Sequence, residues 1–321
     1  MVNMVINPAS KSGHGLEMWK ELEDWLLKHS IEYEAFLSKG PGDVTRIVHE
    51  LCENGLSKAS SVLRIIILGG DGTFNEALQG ITDFDCVEIG YIPTGSSNDL
   101  ARDLGIKGDP SFLLSLVCDK PHLMDLGRLT YHDSASERSR LHEEKDSDTR
   151  YFAVSCGIGY DAAICEEALA SHFKNTLNRL GLGKLTYLTI ALKQLILTKR
   201  GNCTITLDGK EPFELKSFLF IATMIHRFEG GGFMFCPDAD AQDGRFNLCA
   251  VGPIAKLRIL FALPSALKGQ HYRYPHIYPY DGASVHLEAD RPFWVHTDGE
   301  VSRKSSSITI ECLQKKIHLL K

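Results

Sequence analysis

Four short stretches of this chain carry residue types at spacings that chemistry needs. In "IIILGGDGTFNEALQG" (65–80), large apolar residues run into Gly69-Gly70 and then Asp71-Gly72-Thr73. Adjacent glycines let a ligand come close to the backbone. A helix beginning at the same point offers partial positive charge, which favours phosphate. Asp71 there repels phosphate unless a divalent cation stands between them, so the features together point to nucleotide phosphates with Mg²⁺. The plain alternative makes Asp71 a helix cap. "NPASKSGHG" (7–15) is a polar loop after a strand, rich in backbone N–H groups that can cradle an anion. In "IPTGSSNDLARDLGI" (92–106), a third such loop passes through Gly95-Ser96-Ser97-Asn98, and Asp99 opens the next helix. If the two strands are neighbours, Asp71 and Asp99 come together over one ligand. Finally, "WVHTDGE" (294–300) sets Glu300 just past Asp298-Gly299, where a carboxylate can take a proton from an incoming hydroxyl. An exposed turn is the plain alternative.

Other patterns are weaker. "GIGYDA" (157–162) mimics a dinucleotide fingerprint but lies outside an early strand–helix–strand unit. "GLGKLT" (181–186) lacks the Ser or Thr that a P-loop needs after its Lys. The nine cysteines form no C-x-x-C pair and sit mostly in apolar contexts, as buried reduced thiols of a cytosolic protein would.

The elements that must position these loops alternate through the first 125 residues. Strands are expected at "MVNMVI", "IEYEAFLS", "VLRIIILGG" and "CVEIGYIPTG". Helices are expected at 16–30, 42–55, from "TFNEALQGI", and from "SNDLARDLGI". Such alternation implies a doubly wound α/β sheet, whose ligands sit at the carboxyl ends of its strands. Loops 7–15, 69–75 and 93–99 all follow strands. Residues 132–150 are polar, charged and without periodicity, and are expected to form a flexible loop. Beyond them, short strand-like pieces dominate, interrupted by a helical segment at roughly 162–198, and suggest a β-sandwich.

The chain has 321 residues, enough for two domains. Its net charge of −6 argues against a protein built to hold nucleic acid. The N-terminus lacks the pattern of a signal peptide, and no apolar run is long enough to span a bilayer. A cytoplasmic chain, soluble or peripheral to a membrane, is expected.

Taken in order, "NPASKSG", "GGDGTFNEALQGI", "PTGSSNDLARDLGI" and the late "DGE" resemble the diacylglycerol kinase catalytic family, especially the soluble bacterial lipid kinases related to sphingosine and ceramide kinases. "MDLGRL", "GIGYDAAI", "LGKLTYL" and "GGGFMFCPDADAQDGRFNL" resemble that family's second domain. The resemblance implies an ATP-binding α/β domain at 1–125, completed by a return of about 303–321, and a lipid-substrate β-sandwich at 126–302. It implies ATP and Mg²⁺ as cofactors, with nucleotide contacts at Asn7, Pro8, Ser10, Gly13, Ser38, Gly69, Gly70, Asp71, Gly72, Thr73, Asn75 and Ser96. It also implies Glu300 as proton acceptor, Asp71 and Asp99 as acidic active-site residues, and a structural Mg²⁺ site at Asp240–Arg245 with Asp243 its side-chain ligand. The family's usual Gly-Thr-Gly-Asn-Asp reads Gly95-Ser96-Ser97-Asn98-Asp99 here, so a hydroxyl is kept at 96 while Ser97 narrows the approach. The expected activity is transfer of the ATP γ-phosphate to a lipid hydroxyl, of diacylglycerol or a related lipid. Membrane contact is expected near Lys174, Arg179, Lys184, Lys193, Lys199 and Arg200, and a homodimer is an allowed assembly. A soluble-substrate kinase of the NAD kinase type and a non-catalytic nucleotide- or lipid-binding regulator stay open as alternatives.

Overall fold

The computed structural model describes residues 1–56, 62–107, 112–133, 148–170 and 183–321, and only the backbone of 56, 113, 114 and 183–188. Most of the expected loop at 132–150 thus lies outside the described residues, as do Lys174, Arg179 and the side chain of Lys184. The chain forms two units, Met1–Leu126 with Gln314–Lys321, and Gly127–Leu313.

The first unit alternates β1 (Val2–Ile6), α1 (Ser10–Lys28), β2 (Tyr33–Leu37), α2 (Asp43–Leu56), β3 (Leu63–Gly69), α3 (Asp71–Gly80), β4 (Val87–Pro93), α4 (Asp99–Leu104) and α5 (Leu113–Cys118). The strands pair in parallel in the order β2–β1–β3–β4, and the chain's last residues, His318–Leu320, pair in parallel with Glu88–Gly90 on the far side of β4. β3 is apolar because helices cover both faces of such a sheet. Met4, Ile6, Trp19, Leu22, Ile66 and Leu320 share its buried core. Order reverses between β1 and β3, and that switch point is where open α/β sheets bind ligands. The regular part of α1 begins after a break, because Lys11, Ser12 and Gly13 all have positive φ.

β5 (His122–Tyr131) leads into the second unit, followed by β6 (Thr149–Phe152), β7 (Ser155–Gly159), α6 (Tyr160–Ala170), α7 (Gly183–Leu197), β8 (Gly201–Leu207), β9 (Phe213–Phe218), β10 (Phe220–Met224), β11 (Phe228–Glu229), β12 (Phe233–Met234), β13 (Phe246–Val251), α8 (Lys256–Ala266), β14 (Ile277–Gly282), β15 (Ser284–Thr297) and β16 (Glu300–Leu320). The expected helical segment at 162–198 is therefore present as α6 and α7, with 171–182 outside the described residues. β15 changes partner along its length: Val285–Ala289 pair with β8, and Val295–Thr297 with β7. Strands that switch partners in this way make the corners of a sandwich. β10 is buried on both faces, sending Ile221 into one core and Phe220, Ala222 and Met224 into the other. The return to the first unit begins at Gln314 rather than about 303, because β16 keeps pairing with β15 as far as Glu311.

Candidate active site

Three loops meet at the carboxyl ends of β1, β3 and β4 and are laced together by side chains. Asn7 Nδ2 donates to Thr73 Oγ1 at 3.0 Å, tying the first loop to the head of α3. The hydroxyls of Ser10 and Thr94 lie 2.7 Å apart, tying the first loop to the third. Thr94 N–H donates to the Gly69 carbonyl at 2.7 Å. The glycines serve this closeness. A Cβ on Gly95 would stand 2.7 Å from the Cα of Gly70, and one on Gly69 would collide with the Thr73 side chain at 2.4 Å. The expectation that Gly69 and Gly70 make room for a ligand thus gains a nearer cause, which is that the loop backbones and Thr73 already fill that room.

The first loop shows the complementary feature. Lys11, Ser12 and Gly13 form a run of three left-handed residues, with Gly13 at φ 103°. Successive N–H groups in such turns face one concavity and build an anion cradle. A Cβ on Gly13 would meet nothing within 4 Å, so the space beside the loop is open. Holding non-glycine residues left-handed costs of order 1–3 kcal/mol each.

Asp71 and Asp99 come together as expected, with their roles in the loops defined. Asp71 Oδ2 accepts the Asp99 backbone N–H at 2.9 Å, so Asp71 satisfies the head of α4 from a neighbouring element. Asp99 is buried and its carboxylate pairs with Arg102 one turn on. Tyr91, wholly buried in β4, has its hydroxyl 3.3 Å from both Asp71 Oδ1 and Asn98 Oδ1, which accept from it. Burial, then the charge of Asp71, push the Tyr91 phenol well above its ordinary pKa, so it stays a neutral donor. Sequence reasoning missed Tyr91, Thr94 and Arg102. The available signal was a hydroxyl-bearing ring inside a mostly apolar strand.

The remaining expected contacts divide. Ser38 is buried at the end of β2, where its N–H donates to the Ile6 carbonyl. Pro8 is half-buried and Ser96 exposed on the loops, and half-buried Gly72 lies in the first turn of α3. Asn75 lies in α3, fully buried, with its oxygens accepting from Gln79 one turn on.

In the second unit, Thr297 and Glu300 close a two-residue hairpin through Asp298 and Gly299, whose φ values are 52° and 85°. Left-handed geometry at both positions is why Asp-Gly suits this turn. The Asp298 carboxylate accepts from the N–H groups of Ala153, Val154 and Ser155 at 3.0, 2.8 and 3.0 Å. Asp298 therefore anchors the turn, and half-buried Glu300 is the acid it presents.

The expected metal stretch is a pair of tight turns. Asp240 Oδ1 accepts from Gln242 N–H, and Asp243 Oδ1 from Arg245 N–H. The Arg245 guanidinium is engaged by Asp281 at 2.6 Å and Asp208 at 3.3 Å, so its side chain is no metal ligand. Among the described residues no group of three or more His, Cys, Asp or Glu is placed to hold a metal ion.

The model of the diacylglycerol kinase catalytic domain matches residues 1–129, and that of the YegS C-terminal NAD kinase β-sandwich-like domain matches 154–321. The chain is 25% identical over 303 residues to YtlR of Bacillus subtilis, named as a lipid kinase not yet proven, covering 92% of each chain. It is 25% identical over 309 residues to a diacylglycerol kinase of Staphylococcus aureus, covering 94% of this chain and 86% of the other. A Bacillus anthracis crystal structure described as a diacylglycerol kinase shares the fold with a TM-score of 0.67 at 18% identity, over 99% of this chain and 96% of the other. The laced strand-end loops fall in the first matched segment and the anchored Glu300 turn in the second, and the chain belongs to the diacylglycerol kinase family in which a catalytic α/β domain is joined to a YegS-type β-sandwich.

Proposed function

We propose that this chain transfers the γ-phosphate of ATP to the hydroxyl of a membrane lipid of the diacylglycerol class. The observation that carries the lipid acceptor is an apolar cavity of about 190 Å³ in the second unit, lined among others by Tyr160, Leu195, Phe233, Ile259, Leu263 and Leu267. The Tyr160 hydroxyl in that wall is satisfied, donating to the Ala191 carbonyl at 2.8 Å. A dry apolar cavity of roughly 150 Å³ already takes a benzene-sized guest, so this one suits part of an acyl chain.

Family membership and the cradle at Lys11–Gly13 support ATP. The open space beside Gly13 fits a phosphate, and the N–H groups there would hold it without displacing a side chain. Asp71 and Asp99 fit a Mg²⁺ bound through water, since carboxylate oxygens that already accept one hydrogen bond keep further lone pairs. Mg²⁺, when bound, neutralises charge on the transferring group. Tyr91 and the Asp99 N–H hold Asp71 in one rotamer, so its charge stays in place without reorganisation. Glu300 takes the proton of the attacking hydroxyl. Asp240 and Asp243 supply the sparse carboxylate set that a mostly hydrated Mg²⁺ uses, with a structural role away from the chemistry.

The test is phosphoryl transfer from ATP with Mg²⁺ in mixed micelles containing diacylglycerol, a sphingoid base, phosphatidylglycerol or a polyprenol, alongside NAD and water-soluble alcohols. Phosphorylated lipid is expected, with Glu300→Gln lowering kcat at least 100-fold while ATP still binds. Turnover of NAD alone, or full turnover by Glu300→Gln, would overturn the reading.

A further inference from the structure

Over the middle of β7, three ionisable side chains meet that the proposed chemistry leaves unused. His296 on β15 lies opposite Gly157 on β7 and is fully buried. Its Nε2 is 3.1 Å from Glu229 Oε1, on β11, and 3.5 Å from Asp161 Oδ2, in the first turn of α6. Gly157 is a glycine because these groups occupy the space above it: a Cβ there would stand 2.1 Å from Asp161 Oδ2 and 2.3 Å from His296 Nε2. The stretch "GIGYDA", a poor dinucleotide fingerprint, thus supplies one member of this cluster and the room for another.

Burying such groups is expensive and calls for a reason. Asp161 Oδ2, Glu229 Oε2 and His296 Nε2 are shut away from solvent with no well-aligned hydrogen bond among the described residues. The imidazole's other nitrogen is engaged: Gly299 N–H donates to His296 Nδ1 at 3.1 Å. An accepting nitrogen carries no proton, so the ring proton sits on Nε2, toward the two carboxylates. A metal on Nε2 would require Nδ1 to carry the proton, against Gly299 N–H, so the cluster is not a metal site.

The protons in the cluster follow from its surroundings. Burial disfavours a charged imidazole, but Glu229, Cys165 and Asp161 outweigh it and push the ring's pKa up. Burial raises Asp161 as well, and pushes the Cys165 thiol up to about 11. Cys156, on the other face of β7, is raised by burial and stays a thiol. The N–H of Gly299 stands where a second ring proton would go. A charged ring would carry a proton on Nδ1 and break the Gly299 bond, so that bond belongs to the neutral ring with its proton on Nε2.

Gly299 is one of only two residues in the turn that precedes Glu300. Its partner Asp298 is pinned by residues 153–155, and Gly299 by His296. We propose that His296, backed by Asp161 and Glu229, is a positioning residue that fixes Gly299 and thereby the carboxylate of Glu300. This rests on Glu300 being the proton acceptor of the reaction proposed above.

The test compares His296→Asn, whose amide oxygen replaces the Nδ1 acceptor, with His296→Gln, whose amide reaches the Nε2 position and leaves Gly299 without one. His296→Leu removes both. Two readouts are taken on the full chain: hydrogen exchange at the Gly299 amide by NMR, and kcat and KM for ATP in mixed micelles. The Gln and Leu variants are expected to exchange Gly299 at least tenfold faster and to lose at least tenfold in kcat, with KM for ATP unchanged. The Asn variant is expected to recover most of both. Unchanged Gly299 exchange in the Gln and Leu variants would overturn the proposal, as would full kcat with that protection lost. If the Leu variant fails to fold, the near-isosteric Asn and Gln pair still decides. A wild-type chain silent on every acceptor would overturn the kinase reading alone, and Gly299 exchange would then decide the anchor by itself.

Discussion

Gly70 and Gly95 touch through their backbones, which joins the loops after β3 and β4, and Thr94 of the latter also reaches Ser10 of the loop after β1. Adding a methyl at 95 therefore acts as overpacking against a backbone that cannot swing aside. Gly95→Ala is expected to cost about 1–3 kcal/mol, read as a lower urea midpoint with unchanged slope. Tyr91→Phe removes only one donor from Asp71, and the loss is expected to be about 1 kcal/mol, because the Asp99 N–H still holds the carboxylate. A larger loss of kcat than of stability in that variant would show that the orientation of Asp71 matters to the reaction. Equal stability and activity to wild type would make the Tyr91 hydroxyl dispensable.

At the scale of elements, the β15–β16 hairpin hangs on one carboxylate. Asp298→Ala would leave the N–H groups of Ala153, Val154 and Ser155 without their acceptor, and a loss of about 2–4 kcal/mol is expected, at roughly 1–3 per abandoned donor with water recovering part. A second carboxylate secures the opposite end of β15. Asp208 accepts from Ala283 and Ser284 N–H and faces Arg245. Burial raises its pKa, but these two N–H groups and the cation of Arg245 outweigh that and hold it below the ordinary carboxylate range. Such a group stabilises the fold above its unfolded pKa of about 3.9 and gives that up as pH falls through the lower folded value. The second unit should therefore lose stability below about pH 4, and Asp208→Asn should flatten that acid limb in denaturant melts. An unaltered limb would assign it to other carboxylates.

For the molecule as a whole, a lipid acceptor requires contact with a bilayer. No helix among the described residues is long and apolar enough to cross one. α8 offers another means: Leu257 and Phe261 are 68% and 65% exposed, next to Lys256 and Arg258, a pattern suited to lying in an anionic interface. Leu257→Asp with Phe261→Asp is expected to cut flotation with phosphatidylglycerol vesicles at least tenfold, since each such side chain contributes about 1.5–3 kcal/mol when buried. Unchanged flotation would remove α8 from any contact with the bilayer.

What the sequence determined by itself was local and periodic. Alternating apolar runs and helical spacing made the doubly wound sheet legible, and turn residues marked three loops after strands, because backbone propensity and amphipathic pattern act within a few residues. The meeting of Asp71 and Asp99 and the tight turn before Glu300 were legible from ordered motifs. The tertiary structure decided what those residues touch. That Asp71 heads α4, that Gly70 meets Gly95 and that Asp298 anchors its turn all depend on contacts between segments far apart in the chain. The cluster of Asp161, Glu229 and His296 shows the limit most plainly: its members are separated by 68 and 67 positions, no spacing rule relates them, and only the packing of α6, β11 and β15 around Gly157 brings them together.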